Sequence, residues 1–149
     1  MRDGLIAFLL VLLAGCAHVP DPGCSLTQVS RALSESMSQG KVRLVIVVND
    51  IYSTLPVHNP VEWKEKSKMD VRMSIESTLR TIFAGRSDFE ISDPNLGGAT
   101  HILTIDVSAD PTAAWPIVFQ AIANMRLMDF DPGRVLATEV CRKTLWVGH

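Results

Sequence analysis

Hydrophobic and polar positions alternate at several distinct periods along this chain, and each change of period marks a change of element. Leu5 to Leu13 is an unbroken apolar run, aliphatic except for Phe8, followed by an interval carrying Pro20, Asp21, Pro22 and Gly23. Leu26, Val29, Leu33 and Met37 then recur at the spacing of one helix face, and Gly40 closes the segment. Ser25 and Gln28 stand three residues apart at its start and fit a reciprocal capping box in which Ser25 is the cap. Val42 to Val48 is a β-branched run interrupted only by Arg43 and Leu44, the pattern of a strand covered on both faces and the expected centre of a sheet.

Asn49 to Asn59 reads as a loop carrying Tyr52, Leu55, Pro56 and His58. Asn59-Pro60-Val61-Glu62 has the composition of a helix entry, with Asn at the cap, Pro first and Glu third. Val71, Ile75, Leu79 and Ile82 form one stripe of that helix, Met69, Met73 and Phe83 lie beside it, the two Met residues as core filler, and Gly85 is placed to end it. Phe89-Glu90-Ile91 alternates, and Asp93-Pro94 with Gly97-Gly98 makes a turn. A strand is expected over Ile102 to Val107, a connection over Ala109 to Pro116, and a long strand over Ile117 to Met128. Asp131-Pro132-Gly133 is a hairpin turn, and Val135 to Trp146 returns as the last strand. The order predicts an α+β fold: a mixed, mainly antiparallel sheet of four to five strands joined by hairpins, with two helices packed mostly on one face.

The opening segment changes the picture of where this domain works. A weakly positive start, an apolar run and small residues Ala14-Gly15 are the order of a secretory signal. About ten apolar residues make roughly 15 Å of helix, half of a bilayer core, so the run is too short to span. Leu13-Ala14-Gly15-Cys16 resembles the lipobox of bacterial lipoproteins, in which the cysteine thiol is acylated and the preceding peptide removed. That resemblance implies palmitate-type lipidation at Cys16. Ala17 in place of Asp implies an outer-membrane anchor facing the periplasm. The division expected is residues 1–15 as signal peptide, 16–24 as lipidated tether and 25–149 as a single domain.

Composition excludes more than it selects. The formal net charge is −2, and no basic face of the kind that binds nucleic acid stands out. The four histidines are scattered, with no metal-ligand spacing, no nucleophile elbow and no phosphate loop. His101 reads as a sheet-edge residue. Asp106 and Asp110 read as solvated rather than as a catalytic pair, Asp110 preceding Pro111 in a connection. No enzyme, metal or cofactor is expected. With Cys16 acylated, Cys24 and Cys141 are the remaining thiols of an oxidising compartment, and a bridge between them stands as one expectation beside two buried thiols. Tyr52, Leu55 and Trp115 are large apolar residues in expected loops and are the candidates for partner contact.

Longer motifs add a second resemblance. The segments VRLVIVVNDI, IESTLRTIFAGRSDFEISDP, ATHILTIDVSAD and VFQAIANMRLMDFDPGRVLATEVCRKTLW are spread over roughly residues 41–147. Together they resemble the α/β domain shared by lipoprotein activators of penicillin-binding proteins, the curli-secretion lipoprotein and the amino-terminal domain of the Tol-system β-propeller protein. The matching residues are Leu79, Phe89, Ile91, Asp93, Ala99, Leu103, Asp129, Gly133, Val135, Leu136 and Trp146. These are turn formers and strand core, so the resemblance implies a fold and no reacting site. Auxiliary lipoproteins of lipid transporters are similar in their strand-rich domain and short tether. Two functions follow: an accessory lipoprotein docking on an envelope complex for cell-wall synthesis, transport or secretion, or a carrier holding a lipid or other apolar ligand between helix and sheet.

Overall fold

A computed structural model describes residues 25–53, 60–113 and 117–147, with side chains described at 25–51, 64–108 and 121–142. Helix α1 spans Thr27–Met37, β1 Val42–Ser53, α2 Pro60–Ile82, β2 Phe89–Ile91, β3 His101–Ala113, β4 Ile117–Asp129 and β5 Val135–Val147. The strands form one sheet in the order β2-β1-β3-β4-β5. β1 pairs in parallel with β2 and β3, while β3–β4 and β4–β5 are antiparallel and longer. This is the expected mixed α+β sheet with two helices.

Side-chain alternation separates the two faces of the sheet. One face carries Val42, Leu44 and Ile46 of β1, Leu103, Ile105 and Val107 of β3, Met125 and Leu127 of β4, and Cys141 of β5, all buried. Val29, Leu33 and Met37 of α1 and Ile75 and Leu79 of α2 pack on this face in a single core cluster. Cross-strand partners such as Leu103 and Leu127, or Ile105 and Met125, stand directly opposite one another. That stacking keeps the layer continuous from β1 to β5.

Several sequence expectations are corrected. β1 does not stop at Val48; a bulge between Val48 and Asp50 lets it run on to Ser53, so Tyr52 belongs to a strand and pairs with Ser108. β3 likewise continues through the expected connection to Ala113, and Asp110 lies within it, opposite Gln120. β2 and β3 are not a hairpin, because β1 lies between them. His101 therefore begins an interior strand rather than a sheet edge.

The helices depart from expectation at both ends of the core stripe. Ile82 is 43% exposed, whereas Phe83 is 6% exposed and its ring meets that of Phe89 at 4.6 Å between centroids. The buried α2 stripe thus keeps a strict spacing of four, with half-buried Val71 packing ahead of Ile75, Leu79 and Phe83. Met69 and Met73 are not core filler; each is 59% exposed.

The capping box at α1 does not form. The N-cap residue is Leu26, in the left-handed region at φ 53°, and it offers no side-chain oxygen. Ser25 Oγ instead lies 2.7 Å from Thr27 Oγ1. An amide of the first turn is met from a distant element: Val29 N–H donates to Glu139 Oε2 of β5 at 3.1 Å. Glu139 occupies the helix-facing side of β5, opposite Met125, where a carboxylate without a donor would be costly. The first turn of α1 contains no acidic residue of its own, so the carboxylate also meets the positive end of the helix dipole.

Candidate docking surface

Among the described residues, both helices pack against the same face of the sheet and none lies across the other. That second face carries Val47 and Asn49 of β1, Ile102, Thr104 and Asp106 of β3, Asn124 and Arg126 of β4, and Thr138, Val140 and Arg142 of β5, placed there by alternation from the buried set, while Val45 of the same face is buried at 5% exposure. Ladder pairing brings Thr104 opposite Arg126 and Asp106 opposite Asn124, with Thr138 on the far side of Arg126. A shallow hollow of about 300 Å³ lies over Asn49, Thr104, Asp106, Asn124, Arg126 and Thr138. It offers hydrogen-bond donors and acceptors of both charges beside apolar positions such as Val140, which is 49% exposed.

A second polar site lies where α1 ends and β1, β3 and β5 begin. A hollow of about 260 Å³ there is lined by Ser36, Lys41, His101, Asp129, Asp131 and Arg134, among others. His101 Nδ1 is 2.8 Å from Thr100 Oγ1, and Arg43 N–H donates to that same hydroxyl oxygen at 2.9 Å. Burial lowers the His101 pKa from its ordinary 6.5, and the Asp129 charge works against that shift. Asp129 is occupied by the hairpin: its Oδ1 accepts from Arg134 N–H at 2.6 Å, and its Oδ2 lies 3.3 Å from Arg134 Nη2. Gly133 supplies the positive φ of 85° that this turn requires. Asp129 and Gly133 therefore serve the β4–β5 connection. No group of three or more His, Cys, Asp or Glu side chains among the described residues is arranged to hold a metal ion. No helix among them is long and apolar enough to cross a membrane.

The sequence-predicted site residues are only partly placed. Cys16, Cys24, Leu55 and Trp115 lie outside the described residues, and of Tyr52 only the strand position is described. Cys141 is buried, at 3% exposure, on the helix-facing side of β5. Glu139, two residues before it, went unnoticed in the sequence. The available signal was a carboxylate interrupting the apolar alternation Ala137, Glu139, Cys141.

No family model matches this sequence, and a search of curated proteins finds no match. Solved structures give partial likenesses. A PelC dodecamer from Paraburkholderia phytofirmans is 17% identical, with 71% of this chain and 74% of that one covered at a TM-score of 0.49. The LpoB C-terminal domain from Salmonella enterica is 10% identical, with 83% and 98% covered at 0.44. Lipoprotein GNA1162 from Neisseria meningitidis is 12% identical, with 71% and 85% covered at 0.46. At these identities and TM-scores they are resemblances of backbone arrangement and assign no activity.

Proposed function

We propose that this chain is a non-catalytic lipoprotein of the bacterial envelope, held at the outer membrane by an acylated Cys16 and facing the periplasm, where it docks as an accessory subunit on a protein complex. The observation that carries the docking half is the division of labour between the faces of the sheet. The helix side is filled: Leu26, Leu33, Leu44, Leu79, Leu103, Ile105 and Leu127 are all at 0% exposure. A carried lipid would have to displace that core, whereas no helix among the described residues lies across the opposite face. The lipid half rests on the Leu13–Cys16 lipobox. Several acyl chains on one cysteine meet the two-signal requirement for stable anchoring, each buried methylene adding about 0.8 kcal/mol.

Tyr52, Leu55 and Trp115 fit the same reading. β1 and β3 are parallel neighbours, with Tyr52 opposite Ser108, so the chain leaves both strands at one end of the sheet. The test has two arms. Cys16→Ser should leave an unprocessed precursor that takes up no labelled palmitate; normal processing and labelling would sink the anchor. A photo-crosslinking residue at Thr138 or Trp115 in intact cells should trap one defined envelope protein. Lipid co-purifying in stoichiometric amount, with no protein adduct at either position, would favour the carrier instead.

A further inference from the structure

One flank of α2, beside its core stripe, is large-featured in one half and small-featured in the other, and at its amino-terminal end Met69 also rims a hollow over Ile46, Val47 and Val48 of β1. At about 100° per residue, Lys66, Met69, Asp70, Met73, Ser77, Arg80, Thr81 and Ala84 fall within roughly a third of the helix circumference. The core stripe Val71, Ile75, Leu79 and Phe83 lies outside that third. Toward the amino-terminal half stand Met69 and Met73, each 59% exposed. Toward the carboxy-terminal half stand Ser77, Thr81 and Ala84, all exposed, and over them lies a groove of about 520 Å³ that Met73, Glu76 and Arg80 also line. Exposed methionine is uncommon on a surface with no partner, and its unbranched thioether adapts to irregular hollows.

We propose that this flank binds a second copy of the same chain, α2 against α2, antiparallel about a twofold axis passing between Met73 and Ser77. A twofold contact must be self-complementary, so the same surface supplies both knobs and holes. This one does. In that register Met73 of each copy lies over Ser77 of the other and Met69 over Thr81, so the protruding side chains enter the groove above the small residues. Charge follows the same register: Asp70 of one copy faces Arg80 of the other, twice. Within one helix these two residues are ten positions and about 15 Å apart, too far to pair with each other. Arg80 Nη2 already holds Glu76 Oε1 at 2.7 Å, which fixes the guanidinium on this flank to receive a second carboxylate. A single helix pair lies at or below the low end of the roughly 1,200–2,000 Å² buried in stable interfaces, so the association is reversible rather than permanent.

The experiment uses the full chain in a bacterial host, expressed as two differently tagged copies, one bearing Met73→Cys and the other Ser77→Cys. After mild oxidation, a mixed-tag disulfide dimer is expected at least five-fold above that from Met73→Cys paired with Arg31→Cys on the exposed surface of α1. Asp70→Arg or Arg80→Asp, placed in both copies, should lower the trapped dimer at least five-fold, and combining the two should restore it to within two-fold. Asp70→Asn and Arg80→Gln, which remove charge without reversing it, should give intermediate trapping and keep the test valid if a reversal lowers the amount of protein. A mixed dimer no more abundant than the control overturns the proposal. So does stronger trapping of Met73→Cys with itself, which would mean a parallel pair, or failure of the double reversal to restore trapping.

Discussion

Replacing Glu139 by alanine removes a long-range bond that caps α1 and tests how this helix is held. α1 has 11 residues, a length at which an isolated helix is marginal in water. Its N-cap is Leu26, so no local oxygen can take over when the carboxylate goes. The bond from Val29 N–H to Glu139 Oε2 is 3.1 Å long and part-buried. Hydrogen bonds to charged groups contribute about 1.5–3 kcal/mol, and N-cap deletions cost about 0.5–2 kcal/mol. These ranges describe one interaction and do not add, so Glu139→Ala should cost roughly 2 kcal/mol. Glu139→Gln keeps the shape and a neutral acceptor; since charge assistance about doubles a hydrogen bond, it should lose about half as much. Ser25→Ala, which a capping box would make equally damaging, should cost under about 0.5 kcal/mol, because Ser25 Oγ reaches only the Thr27 hydroxyl. Urea unfolding followed by far-ultraviolet circular dichroism reads these differences, a loss of 2 kcal/mol moving the midpoint by about 1 M at an m-value near 2 kcal/mol/M. A Glu139→Ala midpoint equal to wild type, with Ser25→Ala clearly destabilised, would refute the reasoning.

Further outcomes follow from the same geometry. Phe83→Ala should cost about 3–5 kcal/mol through the cavity it leaves beside Phe89, and Ile82→Ala well under 1 kcal/mol; equal losses in urea unfolding would mean the α2 stripe is misplaced. His101 has a folded pKa below its ordinary 6.5, so between the two values the unfolded chain binds more protons and stability rises with pH. Its contribution is complete above about pH 7 and is lost as the pH falls through the depressed folded value. His101→Asn should flatten the thermal-stability profile over pH 5 to 7, and an unchanged slope would remove the histidine from the account. Cys141 is buried on the helix-facing side of β5, and Cys24 lies outside the described residues, so the Cys24–Cys141 bridge stands as a proposal beside two separate thiols. It would close a loop of over a hundred residues, a stabilisation of roughly 4–5 kcal/mol in the chain-entropy description. Non-reducing peptide mapping should recover the two peptides joined; labelling of both thiols after unfolding without reductant would exclude the link.

The elements and their order were legible in the sequence because period and punctuation are local. The spacing of Val29, Leu33 and Met37, the Pro60 helix start, the alternation Leu103-Ile105-Val107 and the Asp129–Arg134 turn each report on neighbours a few residues away. What sequence could not report was pairing. The extension of β1 to Ser53 and of β3 to Ala113 is stabilised by the parallel ladder between them, which lies across more than fifty residues of intervening chain. The β-branched run of β1 marked it as an interior strand, but nothing local marked β2 and β3 as its two neighbours. Ile82 and Phe83 are both apolar and adjacent, and only the position of Phe89 decides which one turns inward. Met69 and Met73 show the same limit from the other side, since a methionine reads as core until the sheet is placed and leaves them facing solvent. The cap of α1 makes the point most sharply: Ser25 offered the local solution, and the tertiary structure supplied Glu139 instead, because packing α1 across β5 carried its first turn to a carboxylate 110 residues away.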